Sequence, residues 1–359
     1  MAVDGLDPSF WSGKRVLLTG HTGFKGGWAA LWLARMGAKV TGFALTPDTE
    51  PNLFALAGVE DAVRSHIGDL RDAEALRAAV DEADPEIVIH MAAQPLVRRS
   101  YVMPVDTFAM NVMGTVNLLE ALRGRSALRT VLVVTTDKVY ENNEASIAFR
   151  ESDPLGGHDP YSASKAAAEI VTSSYARSFF NETGVRVATA RGGNVIGGGD
   201  FSEDRLVPDI WRALAAGEAP VLRNPAAARP WQHVLDCLCG YFTFVRGLHD
   251  GQDLPTALNF GPPPGAKPVT VAALAEAVQS ALGAAPWKPA NETGPHEMMA
   301  LEIDSRKARA VLGWKDQLAG EPCIEWLVEW YRALGQGKDM REMTLRQIAA
   351  FEALHRKAA

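Results

Sequence analysis

Cysteine is nearly absent: Cys237, Cys239 and Cys323 are the three in 359 residues. An odd count with no paired ligand spacing excludes a disulfide framework and a zinc site, and predicts three small buried side chains. Basic excess is missing as well. The 36 Lys and Arg face 43 Asp and Glu, for a formal net charge of -7, so no cationic field exists to hold a nucleic acid, although local cations remain open to small anions. Long apolar runs are lacking: stretches such as Glu86 to Ala93 and Thr130 to Thr135 fall short of the ~20 residues that cross a bilayer, so no membrane insertion is expected. Met1 to Ser12 carries Asp4 and Asp7 in place of a basic region followed by an apolar one. No secretory leader is therefore expected, and the cytoplasm is the expected compartment. Repeats and low-complexity segments are also absent. What is present is 47% hydrophobic residues, enough for one large domain or two modest ones.

From Arg15 onward, short aliphatic runs alternate with longer segments of helical period. That alternation predicts an α/β fold, a Rossmann-type doubly wound parallel sheet. The expected strands are Arg15 to Thr19, Lys39 to Phe43, Arg64 to Ile67, Glu86 to Met91, Thr130 to Thr135 and Arg186 to Ala190. Each is apolar enough to be covered on both faces. Helices are expected at Gly26 to Met36, Ala73 to Glu82, Val105 to Leu122 and Ser162 to Glu182, the last stopped by Gly184. After Arg191 glycine, proline and isolated aromatics dominate. This texture predicts a smaller, loop-rich C-terminal substrate domain, with helices at Val269 to Leu282 and Ile324 to Leu334 as its small core. Residues 1-191 plus about 232-261 form the expected dinucleotide-binding domain. About 192-231 plus 262-359 form the expected substrate-binding domain.

The first strand runs into Thr19-Gly20-His21-Thr22-Gly23-Phe24-Lys25-Gly26 and then a helix. Glycines there let the backbone approach a diphosphate, and the free amides of the helix start meet its charge. The G-x-x-G-x-x-G spacing, set between strand and helix, reads as dinucleotide binding. The second strand ends in Val40-Thr41-Gly42-Phe43-Ala44-Leu45, without the carboxylate that binds a ribose 2′-hydroxyl or an arginine for a 2′-phosphate. The residues alone leave NAD and NADP both open. Asp69, just past the third strand, can meet an adenine amino group or cap the helix that follows.

Tyr161-Ser162-Ala163-Ser164-Lys165 opens a long helix. A spacing of four puts both side chains on one face, where an ammonium lowers the pKa of a phenol and makes it a base. Thr135-Thr136-Asp137-Lys138 follows the fifth strand, at the carboxyl end that faces the ligand crevice. Thr136 can bond a substrate hydroxyl there. Asp137 can carry a proton if partial burial raises its pKa, or it can form a solvated pair with Lys138.

With these motifs stand His90 to Arg98, Asn111-Val112-Met113-Gly114-Thr115, Gly193 to Asp200, Arg229-Pro230-Trp231-Gln232-His233, Pro295-His296-Glu297 and Leu312-Gly313-Trp314. In order and spacing the set resembles the extended short-chain dehydrogenase/reductase family and, within it, the CDP-glucose 4,6-dehydratases, over nearly the whole chain. The resemblance implies a lyase that uses NAD and acts on a nucleotide-diphosphate sugar, CDP-glucose, through C4 oxidation, loss of water across C5 and C6, and hydride return to C6. It implies a cofactor site of Gly20, Thr22, Gly23, Phe24, Lys25, Gly26, Asp69, Leu70, Ala92, Ala93, Gln94, Asn111, Thr135, Tyr161 and Lys165. Thr136, Asp137, Lys138, Tyr161 and Lys165 are the implied catalytic residues. Tyr161 takes the 4-hydroxyl proton, Asp137 protonates the leaving 6-hydroxyl, and Lys138, where related TDP-sugar enzymes carry glutamate, is either the C5 base or an electrostatic stabiliser of the enolate. Asn194, Arg205, Leu206, Arg223, Arg229, His233 and His296 are the implied substrate contacts, with no metal and a homodimer or dimer of dimers. A nucleotide-sugar epimerase or reductase would share Tyr161 and Lys165, and a dinucleotide-binding regulator would share only the loop.

Overall fold

The computed structural model describes residues 4-142, 148-229, 231-266, 269-290 and 301-358. Its centre is a seven-stranded parallel sheet: β1 (Arg15–Thr19), β2 (Lys39–Ala44), β3 (Arg64–Ile67), β4 (Ile87–His90), β5 (Thr130–Thr136), β6 (Arg186–Gly192) and β7 (Ala257–Phe260). The spatial order is β7-β6-β5-β4-β1-β2-β3. The chain thus winds outward from β1 in one direction, returns, and winds outward in the other, which leaves a switch point between β1 and β4. Register aligns the carboxyl ends there: Thr19 lies beside His90, His90 beside Val133, and Thr136 beside Gly192.

Strand alternation sends Val16, Leu18, Ile87, Ile89 and Leu132 to one face and Leu17, Val88, Val131 and Val133 to the other. The first face packs on α1 (Phe24–Arg35) and on α6 (Val234–His249), a helix in which 14 residues are buried. The second packs on α2 (Ala73–Ala83) and α3 (Gly114–Leu122). The cysteines expected to be buried are free and buried.

The expected helix from Val105 to Leu122 is three pieces: Pro104–Phe108, a π turn over Ala109–Met113, and α3. Such a turn widens the helix by one residue and turns a side chain inward. Here it seats Asn111, whose carboxamide accepts from Gln94 N (2.8 Å) and donates to Ser164 Oγ (2.8 Å). That pins the loop after β4 to α4 (Pro160–Tyr175). The long helix of Tyr161 likewise ends in a π turn over Ala176–Phe180 and a short 3-10 turn. Gly184 closes it at φ +76°, as its position in the sequence predicts.

The second half holds more helix than its glycine and proline content predicts: α5 (Leu206–Ala216), α6, α7 (Val271–Leu282), α8 (Glu321–Gly335) and α9 (Met340–Ala358). Its glycines answer to packing. Trp28 Nε1 donates to Gly198 O (2.8 Å), and a Cβ on Gly198 would lie 1.9 Å from Trp330 Cγ. The backbone passes between two indoles where no side chain fits.

Candidate active site

The carboxyl ends of β1, β4, β5 and β6 open into a cavity of about 830 Å³. One wall is the glycine loop. Gly20 sits at φ +81°, a left-handed geometry that L side chains rarely adopt. A Cβ on Gly26 would stand 2.0 Å from Gly20 O. Gly26→Ala must therefore open the loop, and we expect it to abolish dinucleotide binding in a calorimetric titration while the remaining fold still melts cooperatively. The loop, the start of α1 and Lys25 all face the cavity, so the bare amides and the cation fit a dinucleotide diphosphate. His21 turns the other way. Its ring fills the space beside Gly42, where a Cβ would come within 2.4 Å, and its Nε2 lies 2.7 Å from Ser65 Oγ. Burial and the nearby His66 lower its pKa to about 4, leaving it neutral.

Of the residues implied for the cofactor, Gly20, Thr22, Gly23, Phe24, Lys25, Gly26, Leu70, Ala92, Ala93, Gln94, Thr135, Tyr161 and Lys165 line the cavity. Asp69 does not: its carboxylate is held by Arg71 (2.7 Å), with Arg71 N as a further donor. Nor does Asp69 cap α2, since that role falls to Asp72, which accepts from Glu74 N and Ala75 N. Asn111 also stands behind the wall, as a brace. Asp48, unnoticed in the sequence, lines the cavity four residues past the end of β2 and pairs with Arg99 (2.7 Å). An acidic group does reach the crevice after all, from the loop beyond β2.

The second wall carries the chemistry. Asp159 accepts from Ser162 N at the start of α4 (2.9 Å), and Pro160 follows it, so the helix begins where Tyr161 and Lys165 both face the cavity. Tyr161 hydrogen-bonds Thr136. Contrary to the expectation from spacing, its pKa is raised to about 12: burial dominates, the Thr136 bond and Arg205 oppose it, and Asp137 and Asp159 add to it. Lys165 Nζ donates to Val134 O (2.8 Å), and burial lowers its pKa to about 8 against the field of Glu169. Thr136 Oγ1 donates to Asp137 Oδ1 (2.9 Å), as does Lys138 Nζ (3.0 Å). Asp137 is wholly buried, where partial burial was expected, and its Oδ2 has no partner among the described residues. Lys138 reaches the cavity and also donates to Asn194 Oδ1 (3.3 Å).

The far end is arginine-rich. Arg205, Leu206, Arg223 and Arg229 line it with Asn194. Arg223 and Arg98 share the Asp204 carboxylate, and Arg205 donates to Pro95 O (3.2 Å). His233 corrects the expectation of a substrate contact. It is 1% exposed, caps α6 by accepting from Leu235 N (3.2 Å), and does not line the cavity. Burial lowers its pKa to about 3. His296 lies outside the described residues.

The GDP-mannose 4,6-dehydratase family model matches residues 17-250. A CDP-glucose 4,6-dehydratase of Salmonella typhimurium is 45% identical over 96% of this chain and 98% of its own length. A dTDP-glucose 4,6-dehydratase of Xanthomonas campestris is 30% identical over 88% of this chain and 92% of its own. Among solved structures, the Thermus thermophilus UDP-glucose 4-epimerase complex with NAD superposes with a TM-score of 0.76 at 26% identity, over 88% of this chain and 98% of that one. The Bacillus anthracis dTDP-glucose 4,6-dehydratase in complex with NAD gives 0.75 at 23% identity, over 91% and 99%, a likeness of fold. With a cradle that fits a dinucleotide and a wall that places tyrosine, threonine, aspartate and lysine together, the chain belongs to the NAD-dependent nucleotide-sugar 4,6-dehydratases, lyases of the extended short-chain dehydrogenase/reductase fold.

Proposed function

We propose that the protein converts CDP-D-glucose to CDP-4-keto-6-deoxy-D-glucose, a step in deoxysugar synthesis for lipopolysaccharide O-antigen, in the cytoplasm. One observation carries the reading: Tyr161, Thr136, Asp137 and Lys138 form a continuous hydrogen-bonded group beside the glycine loop. The glycine loop and Lys25 would hold NAD, whose chemistry there would be that of a reversible hydride carrier between C4 and C6. Tyr161 receives the 4-hydroxyl proton, Thr136 orients that hydroxyl, Lys138 faces C5, and Asp137 serves the 6-hydroxyl. Asn194, Arg205, Arg223 and Arg229 hold the nucleotide diphosphate, for which forked guanidinium donors are suited. In this reading residues 1-191 with about 232-261 bind the cofactor, and about 192-231 with 262-359 bind the sugar nucleotide.

Incubation with CDP-, TDP-, GDP- and UDP-glucose, scored by mass spectrometry, tests it. Loss of one water from the CDP sugar is the expected result. An isomer of unchanged mass, as an epimerase makes, would overturn the reading, and preference for another base would overturn the substrate.

We also propose a homodimer. Val102 (81% exposed), Val105 (79%), Met113 (51%) and Ile170 (61%) lie on segments that pack together around α4, an apolar face that a second copy would cover. Val105→Asp together with Ile170→Asp is expected to halve the mass seen by sedimentation velocity. An unchanged mass would exclude this face.

A further inference from the structure

Glu169 is 4% exposed on α4, one turn beyond Lys165. No step above uses it. Such a carboxylate is almost never buried without partners, and here it accepts four hydrogen bonds from three residues. Thr135 Oγ1 on β5 donates to Oε1, Thr189 Oγ1 on β6 donates to Oε2 (2.8 Å), and Arg191 on β6 forks across both oxygens (3.1 and 2.9 Å). Arg191 is fixed in turn: it donates to Tyr140 OH (2.9 Å), which donates to Asn259 Oδ1 on β7 (2.6 Å). The carboxylate therefore ties β5 and β6 directly, and β7 through Arg191 and Tyr140, to the helix that bears the reactive pair. Its position cannot drift without moving Thr135, the residue next to the carbonyl that Lys165 holds.

The surroundings of Lys165 give that position an electrostatic meaning. Lys25, from the glycine loop, is a like charge that opposes the ammonium. His90, from β4, is kept neutral by burial, and Tyr161 and Tyr241 are protonated for the same reason. Glu169 supplies the favourable field. Arg191 stands beyond it and holds the carboxylate in place.

We propose that Glu169, clamped by Arg191, Thr135 and Thr189, is a positioning residue that keeps the Lys165 amine charged and directed along β5, so that Lys165 can serve Tyr161. The inference rests on the dehydratase reading only for the role of Lys165; the effect on the amine belongs to the protein alone.

The test follows the amine directly. Lysine carrying 13C at Cε is incorporated, the Lys165 resonance is assigned by its loss in Lys165→Arg, and its pH titration is recorded on the full-length protein without substrate. The wild-type midpoint is expected near pH 8. Glu169→Gln removes the anion and uncovers Arg191, so proton affinity should fall at least about tenfold, one pH unit. Glu169→Asp keeps the charge and should stay near wild type. Glu169→Gln with Arg191→Met removes both charges, guards against misfolding from an unpaired buried cation, and should stay displaced in the same direction, because the anion that favours the ammonium is still missing. The alkaline limb of the kcat/KM profile should follow the same order. An unmoved Lys165 midpoint in Glu169→Gln, or a double variant that titrates like wild type although it lacks the anion, would overturn the proposal and leave Glu169 a purely structural brace. Correct midpoints with no turnover in wild type would count against the dehydratase reading alone.

Discussion

Tyr161→Phe is expected to lower kcat by about 10³ while leaving the fold, the cofactor affinity and KM close to wild type. A positioned general base contributes ~10²–10⁴ in rate, and 10³ corresponds to about 4 kcal/mol of transition-state stabilisation. The ring is 8% exposed and packed at the start of α4, and phenylalanine preserves that packing. What disappears is one hydroxyl and its bond to Thr136, worth about 1 kcal/mol in stability. The two readouts therefore separate: a large kinetic loss with a small shift in melting temperature. Loss of only a few-fold in kcat would mean that another group takes the 4-hydroxyl proton. The raised pKa of Tyr161 sharpens the prediction. At about 12 the phenol is protonated at neutral pH in the free protein, so Lys165 must favour the phenolate before catalysis, an effect to which the cationic ring of NAD would add. The acid limb of the kcat profile should accordingly lie far below pH 12, and Lys165→Met should move it toward higher pH.

The central sheet was legible because its strands are short, aliphatic and covered on both faces, and the glycine loop because its spacing falls between β1 and α1. Two elements escaped for a physical reason. α6 is buried on nearly all sides, so it has no polar stripe to mark a helical period. β7 is four residues, with Asn259 among them serving as a bond partner for Tyr140 and Phe149 O. The site divides similarly. Tyr161, Lys165 and Thr136 could be placed by local rules, the turn of a helix and the end of a strand. Asp48 could not, because the path of the loop after β2 decides where it lands and sequence distance does not. His233 follows Arg229 and Trp231, which line the cavity, and Gln232, which turns away to Asp316. The start of α6 claims the His233 ring as a cap, an outcome that depends on a helix the periodicity does not reveal.

Asp137→Asn and Lys138→Met should stall the cycle at different points, and the difference decides what Lys138 does. Elimination needs a base for the C5 proton and an acid for the 6-hydroxyl. Asp137 Oδ1 and Lys138 Nζ lie 3.0 Å apart as an ion pair, the carboxylate wholly buried and the amine partly so. One proton passed across that bond gives a neutral amine and a carboxylic acid, the pair elimination requires, without changing the net charge of a site shielded from water. When the amine takes the C5 proton and the acid gives its own to the leaving hydroxyl, the ion pair is restored. Asp137→Asn removes the acid and retains the amine. In D₂O we expect dehydration to fall by about 10²–10³, while substrate recovered from the reaction carries deuterium at C5. Lys138→Met should abolish both dehydration and C5 exchange. If the methionine variant still exchanges C5, the amine stabilises the enolate as a fixed charge and another group removes the proton. The buried ion pair would then be an electrostatic device, with Asp137 holding the lysine in place through Oδ1.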